Sequence, residues 1–181
     1  MNFLKQLGVF LFCIVIVTLG LSLILPAHQE VTRNVRINAP AELIYEKLIS
    51  LEEFNRFATW NKEDSTTQFN TTGQDGTVGA SIAWKGHPMI SGEGVITITE
   101  LVPGKKIGYR IDFVKPKKGK ANSVFDLAAA SGTTNVTWTF HLSTPRPRNI
   151  FNLFYNMNKE RGQEFEDGLM MLKKRMENDS L

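Results

Sequence analysis

The chain opens with a long apolar run, and its later hydrophobic residues recur at alternate positions. Nineteen residues from Leu7 to Leu25 include no charged side chain. As a helix rising about 1.5 Å per residue, this run spans roughly 28 Å, close to the thickness of a hydrocarbon core. It is apolar on every side, unlike the amphipathic helix of a soluble core. We therefore predict a transmembrane helix that ends at Pro26.

The same run has two other interpretations. A cleaved signal peptide has a shorter apolar stretch and a cleavage site between small residues, whereas the exit here reads Leu25-Pro26-Ala27. A lipoprotein anchor has a small residue before its cysteine, but Phe12 precedes Cys13. The length fits an uncleaved signal anchor best, so we divide the chain into an anchor at residues 1–26 and a domain at residues 27–181.

Basic residues set the orientation of a membrane span, and here they nearly balance. Lys5 lies on one side of the run, and Arg33 and Arg36 follow on the other. Signal anchors of this layout usually export the segment that follows them. We therefore expect a single-pass protein of the cell membrane with its domain on the external (periplasmic) side.

Beyond the anchor, alternation predicts a strand at Val31–Ile37. Asn38-Ala-Pro40 then opens a short helix, because proline is favoured at an early helical position. A second short helix follows at Leu51–Phe57, and residues 62–74 form a polar loop.

The second half of the domain predicts a meander of antiparallel strands and one closing helix. The strands are predicted at Val78–Lys85, Gly92–Leu101, Lys106–Val114, Ala121–Ala130 and Thr133–Leu142. Three- and four-residue steps predict a single helix from Ile150 to about Asn178, with Phe151, Phe154 and Phe165 on its buried side. No helices alternate with the later strands, so the fold class is α+β and not parallel α/β.

Composition narrows the function classes. The formal net charge is only +3, too low for a nucleic-acid-binding protein, so we expect no nucleic-acid partner. The one cysteine, Cys13, lies in the apolar run, which excludes intramolecular disulfides and thiolate metal sites. The three histidines, His28, His87 and His141, lack the short spacing of metal ligands on one element, so we predict no metal.

Several segments together resemble the polyketide cyclase/START-like (SRPBCC) superfamily, the helix-grip fold shared with proteins of the birch-pollen-allergen type. They are residues 31–49, the loop around Trp60, Gly79–Trp84, Gly92–Glu100 and Phe165–Lys173. The resemblance covers roughly residues 31–176, and bacterial members with an N-terminal membrane segment look similar. It implies a bent antiparallel sheet that wraps the long C-terminal helix and encloses a cavity.

Aromatic residues fall on the apolar strand faces and on the closing helix. We predict that they line an apolar cavity for a hydrophobic small molecule or a lipid, although each alone is also a plain core residue. The predicted lining is Trp84, Tyr109, Phe113, Phe125, Trp138, Phe140, Phe165 and Leu169.

Catalytic motifs are missing from the sequence. Gly119-Lys120 is followed by alanine and not by the Ser or Thr of a phosphate loop, and Gly92-x-Gly94 lacks the third glycine of a dinucleotide fingerprint. Alternation places Arg110 and Asp112 outward and Tyr109 inward, and one phenol does not make a catalytic site. We therefore predict no catalytic residue and no cofactor, and the sequence favours binding over catalysis.

One basic stretch has two interpretations. Lys115-Pro-Lys117-Lys118-Gly-Lys120 is either a solvated hairpin turn or a segment attracted to anionic lipid.

The sequence thus predicts a membrane-anchored START-like domain that binds a hydrophobic small molecule or a lipid without chemistry. Two alternatives remain. One is a cyclase- or hydrolase-like enzyme that uses polar groups in the same cavity. The other is a tethered interaction module with a filled core, which would bind through an outer face such as that of Val95, Thr97 and Thr99.

Overall fold

The computed structural model describes residues 2–57 and 64–178, so the predicted Trp60 loop lies outside the described residues. The helices are α1 (Asn2–Ile24), α2 (Ala41–Ile49), α3 (Leu51–Phe57) and α4 (Met157–Asn178), and a 3₁₀ turn covers Arg148–Leu153. The strands are β1 (His28–Ile37), β2 (Gln68–Thr72), β3 (Ser81–Lys85), β4 (Glu93–Val102), β5 (Lys106–Lys115), β6 (Gly119–Ala130) and β7 (Thr133–Ser143).

The seven strands form one antiparallel sheet in the order β1-β7-β6-β5-β4-β3-β2. Consecutive strands from β2 to β7 make a meander, and β1 closes it by pairing with β7 from His28↔Ser143 to Ile37↔Thr134. The curved sheet and the long C-terminal helix α4 form the predicted helix-grip α+β fold, with α4 packed against β1.

Two glycines mark a bend in β4. The register between β4 and β5 shifts between Glu93 and Gly94. Gly92 has φ +65, and a Cβ there would lie 2.2 Å from the carbonyl oxygen of Lys115. A Cβ on Gly94 would lie 2.2 Å from the ring of Trp84. Only glycine at this position leaves room for that ring, which comes from the neighbouring strand β3 and lies over β4.

Two predicted elements are wrong. The segment at residues 62–74 is not all loop, because it includes β2, an edge strand whose five residues are all exposed and therefore show no alternation. The closing helix does not begin at Ile150. The helical conformation is interrupted before Met157, and Asn156 caps the start of α4. The Oδ1 of Asn156 accepts a hydrogen bond from the N–H of Lys159 at 3.1 Å.

This break changes the surroundings of two aromatic residues. Phe151 and Phe154 are 63% and 88% exposed, so neither joins the buried side of α4 as predicted. Phe165 does, at 4% exposure.

Among the described residues, one helix is long and apolar enough to cross a membrane. It covers Phe3–Ile24 with a mean hydropathy of 2.8. Only 6% of this stretch is buried within the protein, which is unlike a core helix and fits a membrane anchor.

Candidate ligand-binding site

The predicted cavity-lining residues lie in the interior of the domain. Seven of them are buried and Phe113 is partly buried. Alternation places them there, since Tyr109 and Phe113 share one face of β5, and Trp138 and Phe140 share one face of β7.

Most of these rings contact one another. Phe125 stacks on Trp138 with centroids 4.9 Å apart, and Trp138 lies 4.6 Å from Phe165 of α4. Phe140 is 5.3 Å from Phe165 on the other side. Phe54 of α3 stacks on Tyr109 at 4.5 Å and extends the cluster. Side chains therefore occupy the middle of the space where the sequence predicts a cavity.

Trp84 and Phe113 form a separate pair near the bend in β4. Their ring centroids are 5.9 Å apart in an edge-to-face arrangement. The indole nitrogen of Trp84 donates a hydrogen bond to the carbonyl oxygen of Ser91 at 2.9 Å. The predicted lining is thus divided into two groups of rings.

The polar groups among the rings bond to other protein groups. The hydroxyl of Tyr109 donates to the carbonyl oxygen of Leu48, and the indole nitrogen of Trp138 donates to Ser123 Oγ at 2.7 Å. Burial, with a further contribution from the charge of Asp75, raises the pKa of Tyr109 well above its usual value of 10. Tyr109 is therefore a neutral hydrogen-bond donor at physiological pH.

The other candidate polar groups lie away from this interior. Arg110 and Asp112 pair with each other at 2.9 Å on the opposite face of β5. His141 pairs with Glu30 at 3.2 Å, and the Nδ1 of His87 accepts the N–H of Met89. In the part of the chain that the structure describes, no three His, Cys, Asp or Glu residues lie close enough together to hold a metal ion.

A second polar site, missed by the sequence analysis, surrounds Asp64. Its buried carboxylate accepts hydrogen bonds from the hydroxyls of Thr66 and Ser91, both at 2.5 Å, and from the N–H of His87 at 2.6 Å. These bonds, led by the one from Ser91, hold the pKa of Asp64 far below its ordinary value. The carboxylate thus ties the segment before β2 to the turn between β3 and β4.

An open cleft of about 340 Å³ lies where the anchor meets the domain, and we call it the junction cleft. Its lining comes from the end of the anchor, the start of β1 and the chain leading into α4. The residues are Leu25, Pro26, His28, Gln29, Glu30, Asn152, Leu153, Tyr155, Asn156 and Asn158. Apolar and polar groups are mixed there, unlike the all-apolar lining that the sequence predicts.

Side-chain amides hold the cleft in shape. Gln29 Nε2 donates to Asn152 Oδ1 at 2.8 Å, and Gln29 Oε1 accepts the N–H of Met157 at 2.7 Å. Asn152 Nδ2 donates to the carbonyl oxygen of Pro26 at 3.1 Å. The side chain of Met157 belongs to the buried core, so the hydrogen bond from the Met157 N–H to Gln29 links the lining of the cleft to that core.

The guanidinium group of Arg33 also joins β1 to α4. Arg33 Nε bonds to Glu166 at 2.6 Å, and Arg33 Nη1 bonds to Asn158 at 2.8 Å. Gly162 makes room for it, because a Cβ there would lie 2.0 Å from Arg33 Nη2. Pattern analysis could not find this site, because its members are more than 120 residues apart in sequence.

Solved structures of similar fold come from several bacteria. A protein of Chromobacterium violaceum is 17% identical, with a TM-score of 0.54 over 82% of this chain and 97% of its own. A protein of Rhizobium loti is 15% identical, with a TM-score of 0.58 over 81% and 96%. The Aha1 dimer from Colwellia psychrerythraea is 17% identical, with a TM-score of 0.54 over 81% and 95%.

No curated protein matches the chain significantly. The sequence profile described as polyketide cyclase/dehydrase and lipid transport matches residues 28–177, from the first residue of β1 almost to the end of α4. The chain belongs to this polyketide cyclase/dehydrase and lipid transport family.

Proposed function

We propose that this protein is a membrane-anchored, non-catalytic START-like domain that binds an amphipathic small molecule or lipid at the junction cleft. The observation that carries the proposal is the position of the cleft, which opens beside Leu25 and Pro26 at the end of α1. A molecule that leaves the membrane along the anchor meets this opening first. The lipid-transport description of the family supports the same class of ligand.

The lining suits a molecule with two chemical parts. The amide nitrogens of Asn156 and Asn158 offer donors to a polar head, and Leu25 and Leu153 offer apolar contact. A volume of about 340 Å³ is at the lower end of small-molecule sites. It fits a head group with the first part of a chain, and the rest extends toward the lipid phase or the core.

The eight predicted aromatic and aliphatic residues remain our proposed lining for the apolar part of a ligand. Because Trp138 and Phe165 are in contact, a tail enters only when the start of α4 moves away from β1. This movement breaks two hydrogen bonds, one between the Met157 N–H and Gln29 and one between Arg33 and Asn158.

The membrane setting is part of the proposal. Helix α1 acts as an uncleaved signal anchor at residues 1–26, and residues 27–181 form the binding domain on the external side. The membrane is then both the protein's location and the source of its ligand.

Ligand capture by the full chain tests the proposal. The detergent-purified protein is incubated with fatty acids, isoprenoids and phospholipids, and retained molecules are read by native mass spectrometry. His28→Trp fills the cleft from an exposed position on β1 and abolishes retention, whereas Asn34→Trp, on the same exposed face of β1 but outside the cleft, leaves it unchanged. Equal retention by both variants contradicts the cleft, and no retention by the unaltered chain contradicts ligand binding.

The contact between Trp138 and Phe165 favours a second function, a tethered interaction module with a filled core. Such a protein retains no ligand in this experiment and instead binds a partner through its outer surface.

A further inference from the structure

Hydrogen bonds fix the 3₁₀ turn (Arg148–Leu153) against the last turn of α1. Asn149, fully buried, donates from Nδ2 to the carbonyl oxygens of Ser22 at 2.8 Å and Leu25 at 2.9 Å, and accepts from Ser22 Oγ at 2.7 Å. Arg146 Nε donates to the same Ser22 carbonyl at 2.9 Å. These groups cap the C-terminal carbonyls of α1, which an unsupported helix leaves without partners.

The length of α1 sets the depth of this contact. Phe3–Ile24 is 22 residues long, or about 33 Å as a helix, slightly more than a hydrocarbon core. Its last turn therefore lies at the boundary between acyl chains and head groups, and the 3₁₀ turn bonded to it lies at the same level. Aromatic side chains concentrate at this level in membrane proteins.

Large apolar side chains are exposed there. Phe151, Leu153 and Phe154 are 63%, 57% and 88% exposed. Single exposed hydrophobic residues need no explanation, but three within four positions beside a membrane anchor form a surface suited to lipid.

Strand register brings the basic hairpin turn to the same end of the sheet. His28, the first residue of β1, pairs with Ser143 of β7, and Ser143 pairs with Lys120 of β6. The turn before Lys120 therefore projects past the start of β1. It lies two strands away, or about 10 Å at the usual strand spacing.

The charges of this turn are open to an external partner. Lys117 and Lys118 are exposed, and within the described residues neither makes an ion pair, whereas Lys115 pairs with Glu93 at 3.1 Å. Arg146 and Arg148 are two more exposed basic residues beside the anchor, and the guanidinium group of Arg146 also donates to the carbonyl oxygens of Ser22 and Leu23. At the opposite end of the sheet, Lys106 pairs with Glu100 at 2.9 Å.

We propose that one end of the domain, the anchor-side surface, rests on the membrane that α1 crosses, with its aromatic residues in the head-group layer and its basic residues on anionic lipids. The surface consists of Lys117, Lys118, Arg146, Arg148, Phe151, Leu153 and Phe154. The inference depends on the proposed membrane anchorage. It adds a second attachment that holds the mouth of the junction cleft against the lipid phase.

Spin labels on the full chain in nanodiscs test this contact. In a Cys13→Ser background, Phe154→Cys carries the label, and Val78→Cys is the control because Val78 is 60% exposed just before β3 at the opposite end. Collision with a water-soluble nickel chelate is measured. We expect several-fold lower nickel access at position 154 than at position 78.

Lipid charge separates the two parts of the surface. In nanodiscs that contain phosphatidylglycerol, Lys117→Glu with Lys118→Glu lowers the equilibrium constant between docked and undocked domain by about thirtyfold and exposes the label at 154, whereas Lys105→Glu at the opposite end does not. With phosphatidylcholine alone, the double variant and the parent give the same access. Equal effects of the two charge variants overturn the electrostatic part.

Whether the chain is integrated in the membrane is measured separately, by carbonate extraction of membranes that carry the same protein. A chain that is extracted refutes the anchor itself. A retained chain whose label at 154 is as accessible as at 78 overturns the docking inference and leaves the anchor intact.

Discussion

Trp138 of β7 and Phe165 of α4 meet with their ring centroids 4.6 Å apart and their planes inclined by 58°. This contact joins the middle of β7 to the middle of the long helix. It fills the interior between the two elements, and the proposed entry of a ligand tail requires that it open.

Phe165→Ala removes this contact and opens a cavity. We expect the free energy of unfolding to fall by about 3–5 kcal/mol, the usual cost of deleting a buried phenyl ring. Denaturant unfolding of the full chain in detergent measures the loss. Met170→Ala, on the exposed side of the same helix, is the control and changes the stability by less than about 1 kcal/mol. Similar losses in the two variants contradict the central role of the ring.

Gly94→Ala forces the added methyl group into Trp84 and the backbone oxygen of Asp112. We expect a loss of about 1–3 kcal/mol, because neither the indole nor the strand can move away freely. Gly119→Ala is the matched control, since its Cβ meets only the Phe113 ring at 3.7 Å. Thermal unfolding compares the two, and a neutral Gly94→Ala shows that β4 bends without this glycine.

Asp64 makes stability depend on pH in the acid range. Its pKa is lower in the folded chain than the ordinary 3.8, so the unfolded chain binds the proton first as the pH falls. The stabilisation is complete well above pH 3.8 and is lost progressively below it. The measurement is the difference in unfolding free energy between the parent and Asp64→Asn from pH 7 to pH 3. This difference in unfolding free energy decreases on acidification. The corresponding difference for the exposed Asp126→Asn stays small at every pH. A difference for Asp64→Asn that does not change with pH contradicts the prediction.

Asn149→Ala leaves the last carbonyls of α1 and the hydroxyl of Ser22 without their buried partner. Such a loss costs about 1–3 kcal/mol. Hydrogen exchange measures this loss locally. We expect the backbone amides in the last turn of α1 and in the 3₁₀ turn to exchange faster. Asn34→Ala, an exposed asparagine on β1, leaves both segments unchanged, and unaltered exchange in Asn149→Ala refutes the capping role.

The side of the membrane is tested by labelling whole cells. Cys13 is the only natural cysteine, so Cys13→Ser with Val78→Cys gives a single thiol on the domain. We expect a membrane-impermeant maleimide to reach it from the external side without cell lysis. Labelling only after lysis places the domain inside.

Alternation was enough to locate most of the sheet. Leu51–Phe57 has the predicted helix bounds, and Ile107, Tyr109 and Ile111 face inward on β5 as expected. The sequence missed β2, because both faces of that edge strand meet water and show no period. It also ran α4 back to Ile150, since the exposed Phe151 and Phe154 continue the helical spacing without sharing its burial.

The candidate site was harder to foresee. The predicted lining residues do gather in the interior, but a pattern that places rings inward does not say whether they touch. The junction cleft depends on Gln29, Asn152 and Met157, which meet only after the chain has folded back on its own anchor. Contacts between side-chain amides so far apart in the sequence produce no periodic pattern of hydrophobic and polar residues.

The grip of Asn149 and Arg146 on the end of α1 has a mechanical consequence. A domain on a flexible linker adopts many orientations relative to its anchor. Here the hydrogen bonds fix the orientation of the domain relative to α1. If α1 crosses a membrane as proposed, the domain diffuses with it and keeps one side turned to the bilayer. On the proposed function, the domain then collects only those ligands that arrive by lateral diffusion in the membrane beside it.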